Sequence, residues 1–201
     1  MASVLTTTGA NPAPLGLAGF GLTTVVLSAI NAGLLNGDTG ALIAVVVPLA
    51  FSYGGLAQII AGAMEYCSGN TFGMVAFTSY GLLWWWYALL LWTSAAGWIK
   101  PPAGNAVGLV LLMWGIFTLG MWIAAFRANR CVWLIFLLLW ITFFLLAGSD
   151  LGMGDAWHRA GGWLGLLTGL TAMFTSFVEV LNATFRRDVI PLGAPILRDR
   201  S

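Results

Sequence analysis

Residues 131–148 read CVWLIFLLLWITFFLLAG, a run of eighteen residues without one charged side chain. A helix that spans a bilayer needs about 20 mostly apolar residues, because the hydrocarbon core is about 30 Å thick. Five other segments are comparably long and apolar, namely residues 15–35, 40–64, 72–98, 105–126 and 161–183. All six are continuous apolar runs, whereas strands of a membrane β-barrel alternate apolar and polar residues over about ten positions. The sequence therefore predicts an all-α integral membrane protein with six transmembrane helices.

The composition of the whole chain agrees with a membrane location. Hydrophobic residues make up 60% of the 201 residues and charged residues only 7%, against roughly a quarter charged in an average soluble domain. Disorder is excluded, because disordered chains combine low hydrophobicity with high charge. A net charge of +1 offers no basic surface to a nucleic acid, so the expected surroundings are membrane lipid and no nucleic-acid partner.

The connections between the six segments are too short for a second domain. We predict an N-terminal cytoplasmic segment at residues 1–10, a six-helix transmembrane channel or transporter domain at 11–185, and a cytoplasmic C-terminal tail at 186–201. Residues 1–14 hold no Lys or Arg and no long apolar run. The first apolar segment is therefore expected to be a retained helix rather than a signal peptide.

Basic residues indicate how the chain is oriented. Six spans place both termini on one side, and that side holds Arg127, Arg130, Arg186, Arg187, Arg198 and Arg200. The opposite side holds Lys100 and Arg159. Because short cytoplasmic loops are enriched in Lys and Arg, both termini are predicted to lie in the cytoplasm, with the chain a multi-pass protein of the inner or plasma membrane. The charged residues expected in loops include Asp150, Asp155, His158 and Arg159.

The chain lacks the groups of residues that catalysis or cofactor binding requires. It has a single histidine and two cysteines without a CxxC spacing, whereas a metal site usually needs about three or four ligands. Phosphate-binding, dinucleotide-binding and nucleophile-elbow motifs are absent from the sequence. We predict that the protein is not an enzyme and holds no metal or cofactor, so a channel or transporter for a small solute is the leading class.

Three of the predicted helices run outward from the cytoplasm, and they begin at Asn11, at Asn70 and close to Arg130. Asparagine is favourable before the first turn of a helix, and the positive end of the helix dipole attracts anions there. Nine or ten residues further on lie Phe20, Tyr80 and Leu139. At 1.5 Å per residue each is about 14 Å deep, near the middle of the membrane. Such a layer is a hydrophobic constriction if it lines a pore, but ordinary core packing also places apolar residues there, and spacing alone favours packing.

Two acidic residues lie at membrane depth. Glu65 is at the end of the second segment and Glu179 lies within the last, where a charge is costly unless it is paired or functional. Either both are solvated or paired with Arg130 or Arg186, or they line an aqueous vestibule. Other polar candidates beside the apolar layer are Gln58, Thr23, Thr24 and Thr78.

Several motifs of the sequence are those of a known family. They are NPAPLGLAGFG at residues 11–21, YGGLAQ at 53–58, GNTFG at 69–73, AFTSYG at 76–81, WGIFT at 114–118 and EVLN at 179–182. On these motifs the chain, over about residues 11–193, resembles the acetate/succinate transporter family, which comprises succinate-acetate permeases of bacteria and archaea and related fungal acetate transporters. Ala18 departs from the methionine common in relatives, and the Trp84–Trp86 run and the Arg/Asp tail are not family features.

The resemblance implies a pore formed by six helices within each subunit, and assembly of subunits into a homo-hexamer. It also implies acetate as the solute, often with succinate or other short carboxylates. The narrow hydrophobic constriction of the family corresponds here to Phe20, Tyr80 and Leu139, the layer that the depth estimate reached.

We therefore expect transport of acetate, and of succinate or other short mono- and dicarboxylates, through a pore in each subunit with a mid-membrane hydrophobic constriction. The expected pathway residues are Asn11, Thr23, Thr24, Gln58, Glu65, Asn70, Thr78 and Glu179. An anion channel and a proton-coupled symporter both remain open, the latter with Glu65 or Glu179 as the titrating group. The alternative is a neutral small-solute channel for urea, amides or ammonia, and a third class is a structural or signalling membrane protein without flux.

Overall fold

The structure of the protein is a computed structural model that describes residues 9–197. Six helices of 19 to 31 residues are each long and apolar enough to cross a membrane. They are α1 (Ala13–Asn31), α2 (Thr39–Cys67), α3 (Thr71–Ala95), α4 (Gly104–Arg127), α5 (Arg130–Met153) and α6 (Asp155–Phe185). No strand occurs within residues 9–197. The predicted all-α fold with six spans is confirmed, and the protein is a multi-pass membrane protein.

The last helix begins earlier than the sequence predicted. α6 starts at Asp155, six residues before the expected 161, so His158 and Arg159 lie in its first turns and the expectation of a loop there was wrong. The reason is a tight turn just before it, in which Gly152 and Gly154 have φ values of 102° and 95°. Because glycine adopts this conformation without steric cost, the chain reverses within a few residues and the polar stretch becomes helical.

Three helices change their winding along their length. α2 contains Pro48, followed by a π-helical segment at Ala50–Ala57. A proline inside a helix removes one backbone hydrogen bond and its ring displaces the preceding turn, and the wider π winding begins two residues after Pro48. α4 closes with a 3-10 turn at Ala125–Arg127, and α5 ends in a π-helical segment at Ser149–Met153, so Asp150 also lies in a helix end rather than in the expected loop.

The first and last helices close the bundle. Each helix packs on its neighbours in sequence, and α1 packs more extensively on α6 than on any other helix. A Cβ atom added to Gly21 would lie 2.8 Å from the Gly169 carbonyl oxygen, and one added to Gly169 would lie 2.8 Å from the Gly21 carbonyl oxygen. Small residues let membrane helices approach closely. Ser176 adds a polar link, because its Oγ donates to the Pro14 carbonyl oxygen at 2.6 Å.

Gly169→Ala is expected to destabilise the protein, because the added methyl group meets backbone atoms of α1. We expect a loss of about 1–3 kcal/mol, the usual cost of overpacking, measured as a lower midpoint of thermal unfolding in detergent. Gly120→Ala is the matched control, because nothing lies within 4 Å of a Cβ atom there. Equal midpoints for the two variants would contradict a tight contact between α1 and α6.

Helices α1, α3 and α5 follow asparagines that are evenly spaced along the chain, a regularity that was not used in predicting the fold. The residues before them, Asn11, Asn70 and Asn129, are 59 positions apart. Each Oδ1 accepts a backbone N–H of the first turn, with N···O distances of 3.0, 3.1 and 2.9 Å. Asn70 and Asn129 immediately precede their helices, and Asn11 lies two residues before Ala13. The three helices therefore start within one residue of the same register, and residues equally far from these asparagines reach similar depths. Two such sets are Leu17, Ala76 and Ile135, and, deeper, Thr24, Leu83 and Thr142.

Candidate transport pathway

Two cavities follow one another along helices α1, α3 and α5. The first, the Glu cavity, is named for Glu65 and Glu179 in its lining and has a volume of about 410 Å³. The second, the His cavity, is named for His158 in its lining and has a volume of about 290 Å³. The shallower of the two residue sets lines the Glu cavity and the deeper set lines the His cavity. The cavities are thus successive in depth along the same three helices.

The residues of the predicted apolar layer lie at the boundary between the cavities. Phe20 and Leu139 line both cavities, and Tyr80 lines the Glu cavity. The ring centroids of Phe20 and Tyr80 are 5.9 Å apart. The three side chains are 6%, 3% and 4% exposed for Phe20, Tyr80 and Leu139. The structure therefore brings the three together as a buried cluster where the two cavities meet.

A hydrogen bond fixes the hydroxyl group of Tyr80. Thr118 Oγ1 lies 2.8 Å from Tyr80 Oη and 2.7 Å from the Trp114 carbonyl oxygen. Because a carbonyl oxygen only accepts, Thr118 donates to it, and Tyr80 must donate to Thr118. The polar end of Tyr80 is consequently tied to α4 while its ring borders the Glu cavity. Thr118 was not among the predicted site residues, because its contact with Tyr80 depends on how α3 and α4 face each other.

Each acidic residue of the Glu cavity is held by an asparagine that also accepts a backbone N–H at the start of a helix. Asn11 Nδ2 donates to Glu179 Oε2 at 3.1 Å, and Asn70 Nδ2 donates to Glu65 Oε2 at 2.9 Å. Glu65 is 2% exposed, and its other oxygen, Oε1, has no hydrogen-bond partner among the described residues. Both carboxylates line the Glu cavity, and the described hydrogen-bond partner of each is an asparagine rather than Arg130 or Arg186.

The remaining predicted pathway residues do not all reach a cavity. Gln58 lines the Glu cavity, and its Nε2 donates to the Gly54 carbonyl oxygen at 2.6 Å. Thr24 lines the His cavity. Thr23 packs against Gly54 and Thr78 packs against α2, and neither hydroxyl is part of the lining of these two cavities.

Several residues that line the two cavities were not among the predicted pathway residues. Arg127 and Asn129 line the Glu cavity, and Asp150 lines the His cavity together with His158. Of the tryptophan run, Trp84 and Trp86 line the His cavity as well. The even spacing of the three capping asparagines was the signal that could have identified Asn129. His158 and Asp150 were predicted to lie in loops, and a loop position gave no indication that the two residues line the same cavity.

Comparison with known proteins gives closely similar relatives over most of the chain. The succinate-acetate/proton symporter SatP of Escherichia coli (strain K12) is 40% identical over 184 residues, which cover 92% of this chain and 95% of SatP. The ammonia transport outward protein 2 of Saccharomyces cerevisiae is 38% identical over 179 residues, which cover 85% of this chain and 61% of that protein.

A solved structure and a family description match the same region. The structure of the bacterial acetate channel SatP superposes with a TM-score of 0.87 at 39% identity, covering 92% of this chain and 100% of that chain. The GPR1/FUN34/yaaH family matches residues 1–193. By sequence and by fold, the chain belongs to the GPR1/FUN34/yaaH family.

Proposed function

We propose that this protein transports acetate, succinate and other short carboxylates across the cell membrane through a pathway within each subunit. The observation that carries the proposal is the pair of cavities that meet at Phe20 and Leu139. The relatives named as a succinate-acetate/proton symporter and an acetate channel support carboxylates as the solutes. They are named as transport proteins and not as enzymes.

In this proposal Phe20, Tyr80 and Leu139 form the constriction. An acetate ion carries one charge and one methyl group, and the bare charge is costly in an apolar layer. A short layer flanked by two cavities limits this cost to a small part of the pathway. The starts of α1, α3 and α5 direct the positive ends of their helix dipoles toward the Glu cavity, where they attract an anion.

On the other side of the constriction the His cavity offers hydroxyl groups. Thr24 and Thr142 line it at similar depth, together with Ser28 one turn further. Thr142 Oγ1 donates to the Leu138 carbonyl oxygen at 2.8 Å, which leaves its oxygen able to accept. In the same proposal, the polar groups of the Glu cavity come from Gln58, Asn11 and Asn70. Thr23 and Thr78 would instead contribute to the packing of the helices.

The assembly and orientation of the subunit are part of the proposal. We assign residues 11–185 to the transmembrane domain, both termini to the cytoplasm, and six subunits to the assembly. Many large apolar side chains on the surface of the single chain are exposed, among them Phe177, Ile123, Val45 and Leu109. Lipid and neighbouring subunits would cover such a surface, since there is no water in the bilayer core.

Uptake of labelled acetate and succinate into proteoliposomes tests the transport itself, with protein-free liposomes to subtract diffusion of the neutral acid through lipid. Saturable uptake that succinate inhibits is the expected result. Flux that follows an imposed voltage would identify an anion channel, and flux that follows a proton gradient would identify a symporter. A lack of carboxylate flux in folded protein would overturn the proposal.

A neutral-solute channel is the second candidate function, because one relative is named for outward transport of ammonia. Stopped-flow shrinkage and pH changes of the same proteoliposomes would measure urea and ammonia permeation. Ammonia flux without carboxylate flux, and insensitive to voltage, would place this candidate first.

Thr118→Val is expected to lower both stability and acetate flux, because Tyr80 loses the acceptor of its buried hydroxyl. The unsatisfied group costs about 1–3 kcal/mol, visible in the thermal midpoint. Thr168→Val is the matched control, since Thr168 is equally buried and bonds only to the Leu164 carbonyl oxygen of its own helix, at 2.8 Å. If the two variants behave alike, Thr118 has no special role in positioning Tyr80.

A further inference from the structure

Glu65 combines deep burial with an oxygen atom that lacks a partner. Its carboxylate lines the Glu cavity, and the side chain is 2% exposed. Oε2 accepts from Asn70, and Oε1 is buried without a hydrogen-bond partner among the described residues. A buried carboxylate oxygen in this condition requires a donor, such as water, or must itself carry a proton that it can donate.

The orientation of Asn70 determines which oxygen of Glu65 can carry a proton. Asn70 Oδ1 accepts the Gly73 N–H at 3.1 Å, which fixes Nδ2 as the atom that faces Glu65. Since Nδ2 only donates, Glu65 Oε2 must remain an acceptor. A proton on this carboxyl group therefore belongs on Oε1, the oxygen that is free to donate.

A transported carboxylate would share the Glu cavity with this group. Two carboxylates close together cannot both remain ionised at low cost, and a shared proton converts their repulsion into a hydrogen bond. The charged residues that line the cavity are Glu65, Glu179 and Arg127, contributed by α2, α6 and α4. Glu179 is partly exposed, and the exposed Asn11 donates a hydrogen bond to it. Glu65 is the buried member of the three.

We propose that Glu65 takes up one proton for each carboxylate bound in the Glu cavity, and that its Oε1–H donates a hydrogen bond to the substrate carboxylate. This inference rests on the proposed function of carboxylate transport and deepens it. The proton comes from the surrounding aqueous solution, whose buffer supplies it, and it converts the Glu65 carboxylate to the acid. Passing that proton to the substrate forms the neutral carboxylic acid and restores the Glu65 carboxylate. The neutral acid then crosses the apolar layer at Phe20 and Leu139, where a bare anion is costly.

Proton uptake on binding is the direct test, because it needs no transport. Titration calorimetry of acetate into the purified protein, repeated in buffers of different ionisation enthalpy over a pH series, counts the protons bound per acetate. At pH values above the range in which Glu65 titrates, we expect close to one proton to be bound per acetate. In that pH range the Kd for acetate should rise about tenfold per pH unit. Glu65→Gln keeps an acceptor for Asn70 and should bind acetate with no proton uptake and a flat pH profile. Asp155→Asn is the control, because the exposed Asp155 carboxylate lines neither cavity, and this variant should take up the same number of protons per acetate as the unmodified protein.

The outcomes separate this inference from the proposed function. Acetate binding without proton uptake at any pH would overturn the inference and leave carboxylate transport standing. Proton uptake that persists in Glu65→Gln and disappears in Glu179→Gln would also overturn it, in favour of Glu179. If Glu65→Gln does not fold, infrared difference spectra of the unmodified protein with ¹³C-labelled acetate decide the matter. A protonated carboxyl band that appears on binding and does not shift with the label belongs to the protein and supports the inference, and its absence overturns it.

Discussion

Leu139→Ala is expected to admit carboxylates larger than acetate, with lactate or butyrate uptake rising about tenfold or more relative to acetate. Leu139 is 4% exposed and lines both cavities, so shortening it removes part of the wall between them. One methylene in an apolar pocket is worth about 1–3 kcal/mol of discrimination, or roughly 10–200-fold, and this change removes three carbon atoms. Competition of each acid with labelled acetate uptake in proteoliposomes is the measurement.

Leu138→Ala provides the control for this variant. It makes the same chemical change one residue earlier on α5, and Leu138 is also buried, at 9% exposure, but it is not in the lining of either cavity. Both variants should lose stability, since truncating a buried leucine costs about 2–5 kcal/mol. Only Leu139→Ala should change selectivity. Identical selectivity in the two variants would show that Leu139 is not part of the constriction.

Asn70→Leu is expected to abolish measurable carboxylate transport and to destabilise the protein more than Asn129→Leu. Both changes remove the asparagine that caps a helix, at about 1 kcal/mol. Asn70 in addition donates to Glu65, which is 2% exposed and would then have neither oxygen bonded. A lost hydrogen bond to a charged group adds about 1.5–3 kcal/mol. Thermal unfolding and acetate uptake of the two variants give the comparison.

Asn129 is suited to this comparison because it caps α5 in the same geometry, with Oδ1 accepting the Val132 N–H at 2.9 Å. No carboxylate bonds Asn129 within residues 9–197. Equal losses in the two variants would mean that the caps alone matter and that the bond to Glu65 contributes nothing measurable.

The sequence predicted the fold well, because continuous apolar runs specify spanning helices with little ambiguity. Depth was also predictable, since the fixed rise per residue of a helix is enough to place Phe20, Tyr80 and Leu139 near one layer. The start of α6 could not be predicted from the sequence. The stretch that contains Asp155, His158 and Arg159 has the composition of a loop, and a glycine turn precedes it.

Rotation of a helix about its own axis was harder to predict than depth. Thr23 and Thr24 are adjacent and almost equally deep, yet Thr24 lines the His cavity and Thr23 packs against Gly54 of α2. Successive residues of a helix point about 100° apart, so a choice between them requires the position of the neighbouring helices. The hydrogen bond between Tyr80 and Thr118 could not be predicted for the same reason, because it joins two different helices. The two residues are 38 positions apart in the sequence.

The contact between α1 and α6 also determines when the helix bundle can close during synthesis. The ribosome makes α1 first and α6 last, and the bond from Ser176 to Pro14 joins residues 162 positions apart. Contacts over such separations form late, because the intervening chain must be ordered first. Until α6 enters the membrane, α1 lacks its main partner and the Glu cavity lacks the wall that contains Glu179. A partly synthesised chain therefore lacks both the contact that closes the bundle and one wall of the Glu cavity, so the cavity is completed only when the last helix is in place.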